Sequence, residues 1–214
     1  MIIIEYLLSL SNEKPIISNY INIIFPIVGD KIPFDHGYLL YSAISRQFPI
    51  IHDIDDLSIL PIIGKPEFPQ NLYLTPESQL CLRLSTDKVP LIYRLAGKTL
   101  NLNTDKIRLG LPESHELEGC DRLYARLVII RGFDEPNGFI KAVERQLESL
   151  NISAKVNLTT KSGKPIRRTM KIKGRTLIGF GVEISELSED NSILLQEQGI
   201  GGKHKMGCGV FVPM

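Results

Sequence analysis

One order of predicted strands and helices occurs twice along this chain of 214 residues, and it restricts the fold more than any other feature. In residues 16–112 the hydrophobic patterns predict strand, helix, strand, strand, helix and strand. Residues 121–214 repeat that order without any long repeat of the sequence itself. Two consecutive βαββαβ units, each an antiparallel sheet backed by two helices, would form two ferredoxin-like domains. We therefore predict an α+β fold with two tandem ferredoxin-like domains and a C-terminal glycine-rich loop.

The first unit is predicted to begin with a strand, a capped helix and a second strand, and to end at a linker. Residues 16–28 are rich in isoleucine and predict the first strand. Asp35 is placed to cap a helix that ends near Phe48. Residues 57–63 predict the second strand. Residues 113–120 are polar, acidic and without periodicity, and we interpret them as the linker between the two domains.

The second unit, residues 121–214, is predicted to contain a basic hairpin. Its turn falls at Ser162-Gly163, between a strand over residues 155–158 and a return strand over residues 168–172. Ser188 is placed to cap the last helix. Residues 210–212 predict a short final strand that attaches the preceding loop to the sheet.

The residues from 155 to 175 include eight cations and no acidic residue, although the whole chain has a formal charge of only +1. A basic hairpin can lie along the phosphates of an RNA stem. Alternatively, such a hairpin is kept charged to prevent pairing at the sheet edge. We favour RNA contact. The predicted RNA-binding residues of this segment are Lys155, Lys161, Lys164, Arg167, Arg168, Lys171, Lys173 and Arg175.

Residues 199–214 carry five glycines within eleven positions, together with Lys203, His204 and Lys205. Free backbone N–H groups beside cations bind anions. The pattern lacks the Lys-Ser/Thr pair of a nucleotide-binding P-loop, and a strand follows it instead of a helix, so we expect it to suit a longer phosphate backbone. The alternative is a glycine-rich turn that only ends a sheet. The predicted RNA-binding residues here are Gly199, Gly201, Gly202, Lys203, Lys205, Gly207 and Gly209.

Histidines are the candidates for acid–base chemistry, since imidazole exchanges protons near neutral pH. His36 lies near the predicted helix start, and His204 lies in the glycine-rich loop. His52 and His115 lie in acidic, loop-like surroundings, and we interpret them as surface residues. The sequence has no motif with the spacing of metal ligands, so we expect no metal site and no cofactor.

Two motifs resemble one known family. The glycine–apolar–glycine pairs at 199–201 and 207–209, five residues apart and followed by Val-Phe-Val-Pro, are similar to the C-terminal signature of CRISPR-associated endoribonucleases. These enzymes belong to the repeat-associated mysterious protein (RAMP) superfamily and cut precursor CRISPR RNA within its repeats. Residues 35–46 resemble the N-terminal segment of the compact subgroup of that family. The resemblance extends from about residue 16 to the C-terminus and implies the same tandem ferredoxin-like architecture.

The resemblance also implies a mechanism. The ribose 2′-hydroxyl would attack the adjacent phosphorus without a metal, leaving a 2′,3′-cyclic phosphate and a 5′-hydroxyl. The family's usual catalytic histidine then corresponds to His36, with Tyr38 or Tyr41 and Arg46 as helpers. His204 is the second choice, as the complementary acid or as a phosphate contact. The implied partners are CRISPR repeat RNA and other subunits of an RNA-guided effector complex.

Two other functions remain open from the sequence. The chain could be a non-catalytic RNA-binding subunit of a CRISPR effector complex, which only a cleavage assay distinguishes from the nuclease. It could also be an enzyme that acts on a small phosphorylated substrate, but the eight cations of residues 155–175 argue against that function.

The remaining features concern location. Residues 1–15 are apolar, too short to span a bilayer and without the charged start of a signal peptide, and we interpret them as a leader that packs on the body or frays. Cys81, Cys120 and Cys208 are far apart and odd in number, as is typical of a reducing compartment. We therefore expect a cytoplasmic protein without membrane partners.

Overall fold

The computed structural model describes residues 18–67 and 70–214. Among these residues, the N-terminal half contains nine strands and two helices, with short 3₁₀ turns at Pro49–Asp53, Thr86–Lys88 and Tyr93–Leu95. In chain order these elements are β1 (Tyr20–Val28), β2 (Lys31–Pro33), α1 (Gly37–Gln47), β3 (Ser58–Ile59), β4 (Lys65–Glu67), β5 (Asn71–Tyr73), β6 (Gln79–Ser85), α2 (Val89–Ile92), β7 (Thr99–Leu102), β8 (Asp105–Leu109) and β9 (Glu113–Glu116).

The C-terminal half contains seven strands and two helices, with one 3₁₀ turn at His204–Met206. In chain order these are β10 (Arg122–Val128), α3 (Pro136–Ser149), β11 (Lys155–Leu158), β12 (Thr160–Lys161), β13 (Lys164–Pro165), β14 (Arg167–Ile172), β15 (Arg175–Ser185), α4 (Glu189–Gln198) and β16 (Val212–Pro213).

Both halves arrange their main strands in the same way. The first sheet has the order β3-β6-β1-β8-β7, and the second has the order β11-β15-β10-β16. In the first sheet β1 lies between β6 and β8, and in the second sheet β10 lies between β15 and β16. In each half the central strand precedes the first helix, while its two neighbours come before and after the second helix. The predicted α+β class is confirmed, and the shared order supports the predicted tandem ferredoxin-like arrangement. The domain boundaries themselves stay a prediction.

Each half has its own hydrophobic core. In the N-terminal half, Ile23 and Phe25 of β1 pack with Leu40 and Ile44 of α1. In the C-terminal half, Phe139 of α3 meets Phe180 of β15 edge to face, with ring centroids 4.9 Å apart. Burial of these apolar faces is what holds each helix layer on its sheet.

Two predicted segments of the N-terminal half differ in the structure. The strand predicted over residues 57–63 is only the two-residue β3, because Pro61 has no N–H to donate to a ladder. The segment predicted as a linker contains β9, whose four exposed residues pair with β1. The chain therefore crosses between the halves while it is still attached to the first sheet.

The basic hairpin also differs from its prediction. Ser162-Gly163 joins only the two-residue strands β12 and β13, while β14 pairs with β15 through a second turn at Lys173-Gly174. At both turns the two central residues have positive φ, as a tight two-residue hairpin requires. The final strand is β16, paired with β10, instead of the predicted residues 210–212.

The leader predicted over residues 1–15 lies outside the described residues. No helix among those the structure describes is both long and apolar enough to cross a membrane.

Candidate active site

The two sequence motifs, Asp35–Gly37 and the glycine-rich loop, meet where the halves join. The carboxylate of Asp35 accepts a hydrogen bond from the Lys171 N–H of β14 at 2.9 Å. Asp35 is therefore not the predicted helix cap, because its oxygen is used across the junction; His36 holds the cap position without a capping bond. A Cβ on Gly37 would lie 2.3 Å from the carbonyl oxygen of Met206, so glycine allows the start of α1 to touch the loop.

His36 is buried at this junction, with 3 % of its surface exposed. Its Nε2 accepts a hydrogen bond from the Ile62 N–H at 3.1 Å, which places the ring proton on Nδ1, within 3.2 Å of the carbonyl oxygens of Pro33 and Phe34. Burial and the nearby Arg126 guanidinium lower the pKa of His36 to about 4. Both ring nitrogens are engaged within the protein. The catalytic role predicted for His36 stays a prediction.

The glycine N–H groups of the loop also have partners inside the protein. The bonds run from Gly199 to Leu195 O, from Gly201 to Gln146 Oε1, from Gly202 to Ile129 O, from Gly207 to His204 O and from Gly209 to Leu127 O, at 2.8–3.1 Å. In this conformation these N–H groups are not free to bind a phosphate. RNA contact by the five glycines therefore stays a prediction, and the exposed side chain of Lys203 and the half-buried one of Lys205 are the loop's available cationic groups.

The loop contains glycine because two of its segments and a histidine ring meet at close range. A Cβ on Gly199 would lie 2.4 Å from the carbonyl oxygen of Gly209, and one on Gly209 would lie 2.0 Å from that of Ile200. The His204 ring would be 3.1 Å from either Cβ. Burial lowers the pKa of His204, and its Nε2 is buried without a hydrogen-bond partner among the described residues. The ring thus fills the interior of the loop.

The basic segment lies along one edge of the second sheet. Seven of its eight cations are exposed, and Arg168 is half-buried. Lys155 lies 4.0 Å from Glu186, and Arg167 forms an ion pair with Glu135. At the turn between β14 and β15, Lys173 reaches a cleft on the N-terminal half. RNA binding by this segment stays a prediction, and its exposure leaves the cations accessible to a phosphate backbone.

A histidine–tyrosine pair, the exposed His52 and the half-buried Tyr41, lies in that cleft. Nδ1 of His52 is 2.6 Å from the Tyr41 hydroxyl, and the two rings are perpendicular, with centroids 5.6 Å apart. Nε2 of His52 has no hydrogen-bond partner within the part of the chain that the structure describes. Lys205 of the glycine-rich loop donates to the His52 carbonyl oxygen at 2.9 Å. The pair therefore holds an oriented imidazole at the surface, next to cations from both halves.

The cleft has a volume of about 510 Å³ and brings together several of the predicted site residues. Tyr38 and Arg46, the helpers predicted for His36, both line it together with His52, and their catalytic roles stay a prediction. Arg46 is held by hydrogen bonds to Ser42 Oγ at 3.0 Å and to Asn101 O at 2.9 Å. Its guanidinium is thereby fixed at the edge of the cleft.

His52 was interpreted from the sequence as a surface residue because its neighbours in the chain are acidic, and its contact with Tyr41 was not predicted. The signal that could have found it is Pro49, directly after the helix. A proline there ends the helix, and the 3₁₀ turn Pro49–Asp53 folds the chain back along α1. This reversal brings residue 52 beside Tyr41, eleven positions earlier.

Two comparisons of the sequence with known proteins identify the same family. Residues 21–214 match the model of the Cas6 CRISPR family. A curated relative, the CRISPR-associated endonuclease Cas6 of Myxococcus xanthus (strain DK1622), is 35 % identical over 194 residues. The matched region covers 91 % of this chain and 81 % of the relative.

Solved structures with the same fold have far lower identity. A CRISPR-associated protein Cas6 has a TM-score of 0.63 at 12 % identity, covering 91 % of this chain and 99 % of its own. A Cas6-related protein from Pyrococcus furiosus has a TM-score of 0.63 at 14 % identity, with coverages of 91 % and 98 %. A RAMP protein described as binding different RNA substrates has a TM-score of 0.64 at 12 % identity, with coverages of 89 % and 98 %. These likenesses show a shared fold.

Proposed function

This chain belongs to the Cas6 family, and on that premise we propose that it is an endoribonuclease that cleaves precursor CRISPR RNA within its repeats. The observation that carries the proposal is the His52–Tyr41 pair, whose exposed imidazole lies beside cations from both halves. The name of the Myxococcus xanthus relative, a CRISPR-associated endonuclease, supports the same class of activity.

In the proposed reaction His52 is the general base. Nδ1–H donates to the Tyr41 oxygen, which leaves the Nε2 lone pair to take the proton of the ribose 2′-hydroxyl. The 2′-oxygen bonds to phosphorus, the bond to the 5′-oxygen breaks, and that oxygen takes a proton from Tyr38 or from water. The products are a 2′,3′-cyclic phosphate and a 5′-hydroxyl. No metal takes part in these steps.

Cations around the cleft would stabilise the charge that accumulates on the phosphorane. Arg46 and Lys173 line the cleft, and Lys205 lies against the backbone of His52. Fixed positive groups at such a position act most strongly in the transition state, when the negative charge is largest. The cations of residues 155–175 would bind the RNA stem along the edge of the second sheet. Other subunits of a CRISPR complex are further proposed partners.

The test is single-turnover cleavage of CRISPR repeat RNA by saturating enzyme in excess EDTA. We expect the parent to cut, and a 2′-deoxy substitution at the scissile nucleotide to abolish cutting. His52→Ala should slow cleavage by about 100-fold or more, as expected for loss of a general base, with RNA affinity retained. Tyr41→Phe, which only loses the orienting hydroxyl, should have a smaller rate defect.

The matched control is His115→Ala, because His115 is an exposed histidine on β9, 3.5 Å from Glu113. It should cut at the parental rate. His36→Ala and His204→Ala test the catalysts predicted from the sequence. If His52→Ala cuts like the parent and one of these does not, His52 is not the base. If the parent binds the RNA but never cuts it, the chain is a non-catalytic RNA-binding subunit; activity that requires added magnesium would refute the metal-free route.

A further inference from the structure

A second cleft opens in the C-terminal half, where two neighbouring strands separate. β10 and β15 pair from Arg122 with Ser185 to Val128 with Phe180, and a bulge interrupts this register. Beyond Phe180, residues 175–179 of β15 pair only with β14, on the other edge. The strand edge at residues 175–178 and the loop at residues 129–134 then line a cleft of about 960 Å³. We call it the strand-edge cleft.

The glycine-rich loop forms another wall of the strand-edge cleft and keeps it open. The N–H of Gly202 donates to the carbonyl oxygen of Ile129 at 3.1 Å, so the chain after β10 pairs with the loop and not with β15. A Cβ on Gly201 would lie 2.4 Å from that same oxygen. The separation of the strands is therefore part of the fold, and it exposes a stretch of unpaired strand edge to solvent.

The groups around the strand-edge cleft suit a flexible polyanion with flat bases. Three cations from three separate segments line it, Arg131, Arg175 and Lys203, against a single acid, Asp134. Phe133 also lines it and is half-buried, while the Arg145 guanidinium, outside the cleft lining, lies 5.2 Å from the centre of the ring. Aromatic rings and cations combined in a groove are typical of sites for single-stranded nucleic acid.

The strand-edge cleft adjoins the proposed active site through lining residues that neighbouring cavities share. Gly201, Gly202 and Lys203 also line a smaller cavity of about 360 Å³ on the other side of the loop, which includes Tyr41 and Lys205. A strand that leaves the His52–Tyr41 pair can therefore follow the loop, past its two lysines, into the cleft. The flexible backbone of unpaired nucleotides suits such a path around the loop.

We propose that the strand-edge cleft binds unpaired nucleotides of the substrate RNA that adjoin the cleavage site. Arg131, Arg175 and Lys203 contact the phosphates, a base stacks on Phe133, and the β15 edge offers backbone groups to base edges. The proposal rests on the proposed function for the identity of the RNA. The strand-edge cleft then adds affinity for the single-stranded flank and takes no part in cutting.

The test compares two RNAs in equilibrium binding, a minimal stem ending at the scissile nucleotides and the same stem with its unpaired flank. The variant combines Arg131→Ala with Phe133→Leu, which keeps an apolar side chain against the core. We expect about a tenfold or larger loss of affinity for the flanked RNA, given the usual cost of losing one stacked base. Affinity for the minimal stem should stay within about twofold, and so should its cleavage rate at saturating enzyme.

The matched control is Arg108→Ala, which removes an exposed arginine from β8. It should bind both RNAs like the parent. Equal losses for both RNAs, or no loss for either, overturn the proposal; in the second case the free edge would better fit an added protein strand. Cleavage of the minimal stem by the parent reports the proposed function separately. If the parent cuts neither RNA, binding of the flank oligonucleotide alone still tests the cleft.

Discussion

Replacing Arg83 with methionine tests how the two halves are held together. Arg83 lies on β6 with 1 % of its surface exposed. Its Nε donates to Asn22 Oδ1 at 2.9 Å, and its Nη1 donates to the carbonyl oxygens of Gln196 at 2.8 Å and Phe211 at 2.7 Å. The last two acceptors belong to the C-terminal half. Burial lowers the pKa of Arg83 to about 10, and no carboxylate forms an ion pair with it among the described residues.

The magnitude follows from the three acceptors. The two buried carbonyl acceptors cost about 1–3 kcal/mol each without a donor, and the half-buried Asn22 oxygen costs less, so the three together cost roughly 3–7 kcal/mol. Methionine removes the cost of burying a charge, which is several kcal/mol, and its unbranched chain fills much of the same space. We expect Arg83→Met to lower the free energy of unfolding by about 3 kcal/mol. The stability of Arg83→Lys should fall between those of the parent and of Arg83→Met, because an ammonium cannot reproduce the planar donor geometry of the guanidinium.

The assay is urea unfolding, with amide hydrogen exchange measured in each half. Because two of the bonds cross the junction, the variant should also lose exchange protection around Phe211, ahead of global unfolding. Arg108→Met, on an exposed arginine, should change the free energy of unfolding by no more than about 0.5 kcal/mol. If Arg83→Met is as stable as the parent, and the halves still exchange together, the buried guanidinium is not what joins them.

Two further predictions concern the junction. The pKa of His36 is about 4 in the folded protein, against an ordinary value of 6.5. Between these two pH values the unfolded chain binds more protons than the folded one. The free energy of unfolding therefore falls on acidification through that window, by about 3 kcal/mol. His36→Gln should remove that part of the slope in urea titrations from pH 7 to pH 4, and an unchanged slope would contradict the buried neutral ring. Gly209→Ala, at φ +67° with a carbonyl oxygen 2.0 Å from the new Cβ, should cost at least about 2 kcal/mol. Gly174→Ala, at φ +79° with nothing within 4 Å, should cost only the backbone strain, about 1 kcal/mol, and equal melting temperatures for the two variants would show that the close contact does not matter.

Local chemistry made part of the fold predictable. Ser188 was predicted to cap the last helix, and its hydroxyl accepts a hydrogen bond from the Asn191 N–H at 3.2 Å. Such a bond spans three residues, so the sequence contains both partners in one short window. The α+β class was predictable for the same reason, because each strand and helix carries its own hydrophobic period.

Distant contacts and the turns of the chain decided where the predictions differed. Asp35 has a typical capping side chain, but its carboxylate meets the N–H of Lys171, 136 positions away. The predicted return strand after Ser162-Gly163 paired instead with β15, because a second turn at Lys173-Gly174 follows within a few residues. His52 depended on a reversal of the chain that a periodicity cannot reveal. The partner of Asp35 lies outside any local window, whereas the pairing of β14 and the position of His52 depend on nearby turns of the chain.

The order of synthesis determines when the glycine-rich loop can complete the junction between the two halves. Residues 199–213 leave the ribosome after every strand from β1 to β15 has been made, since chains are produced from the N-terminus. Until then Arg83 lacks its acceptor at Phe211, Gly37 has no Met206 to touch, and Lys205 cannot reach His52. A nascent chain therefore carries both sheets without a finished junction, and a truncated one never completes it. Assembly of the His52–Tyr41 cleft therefore waits until the residues that follow α4 have been made.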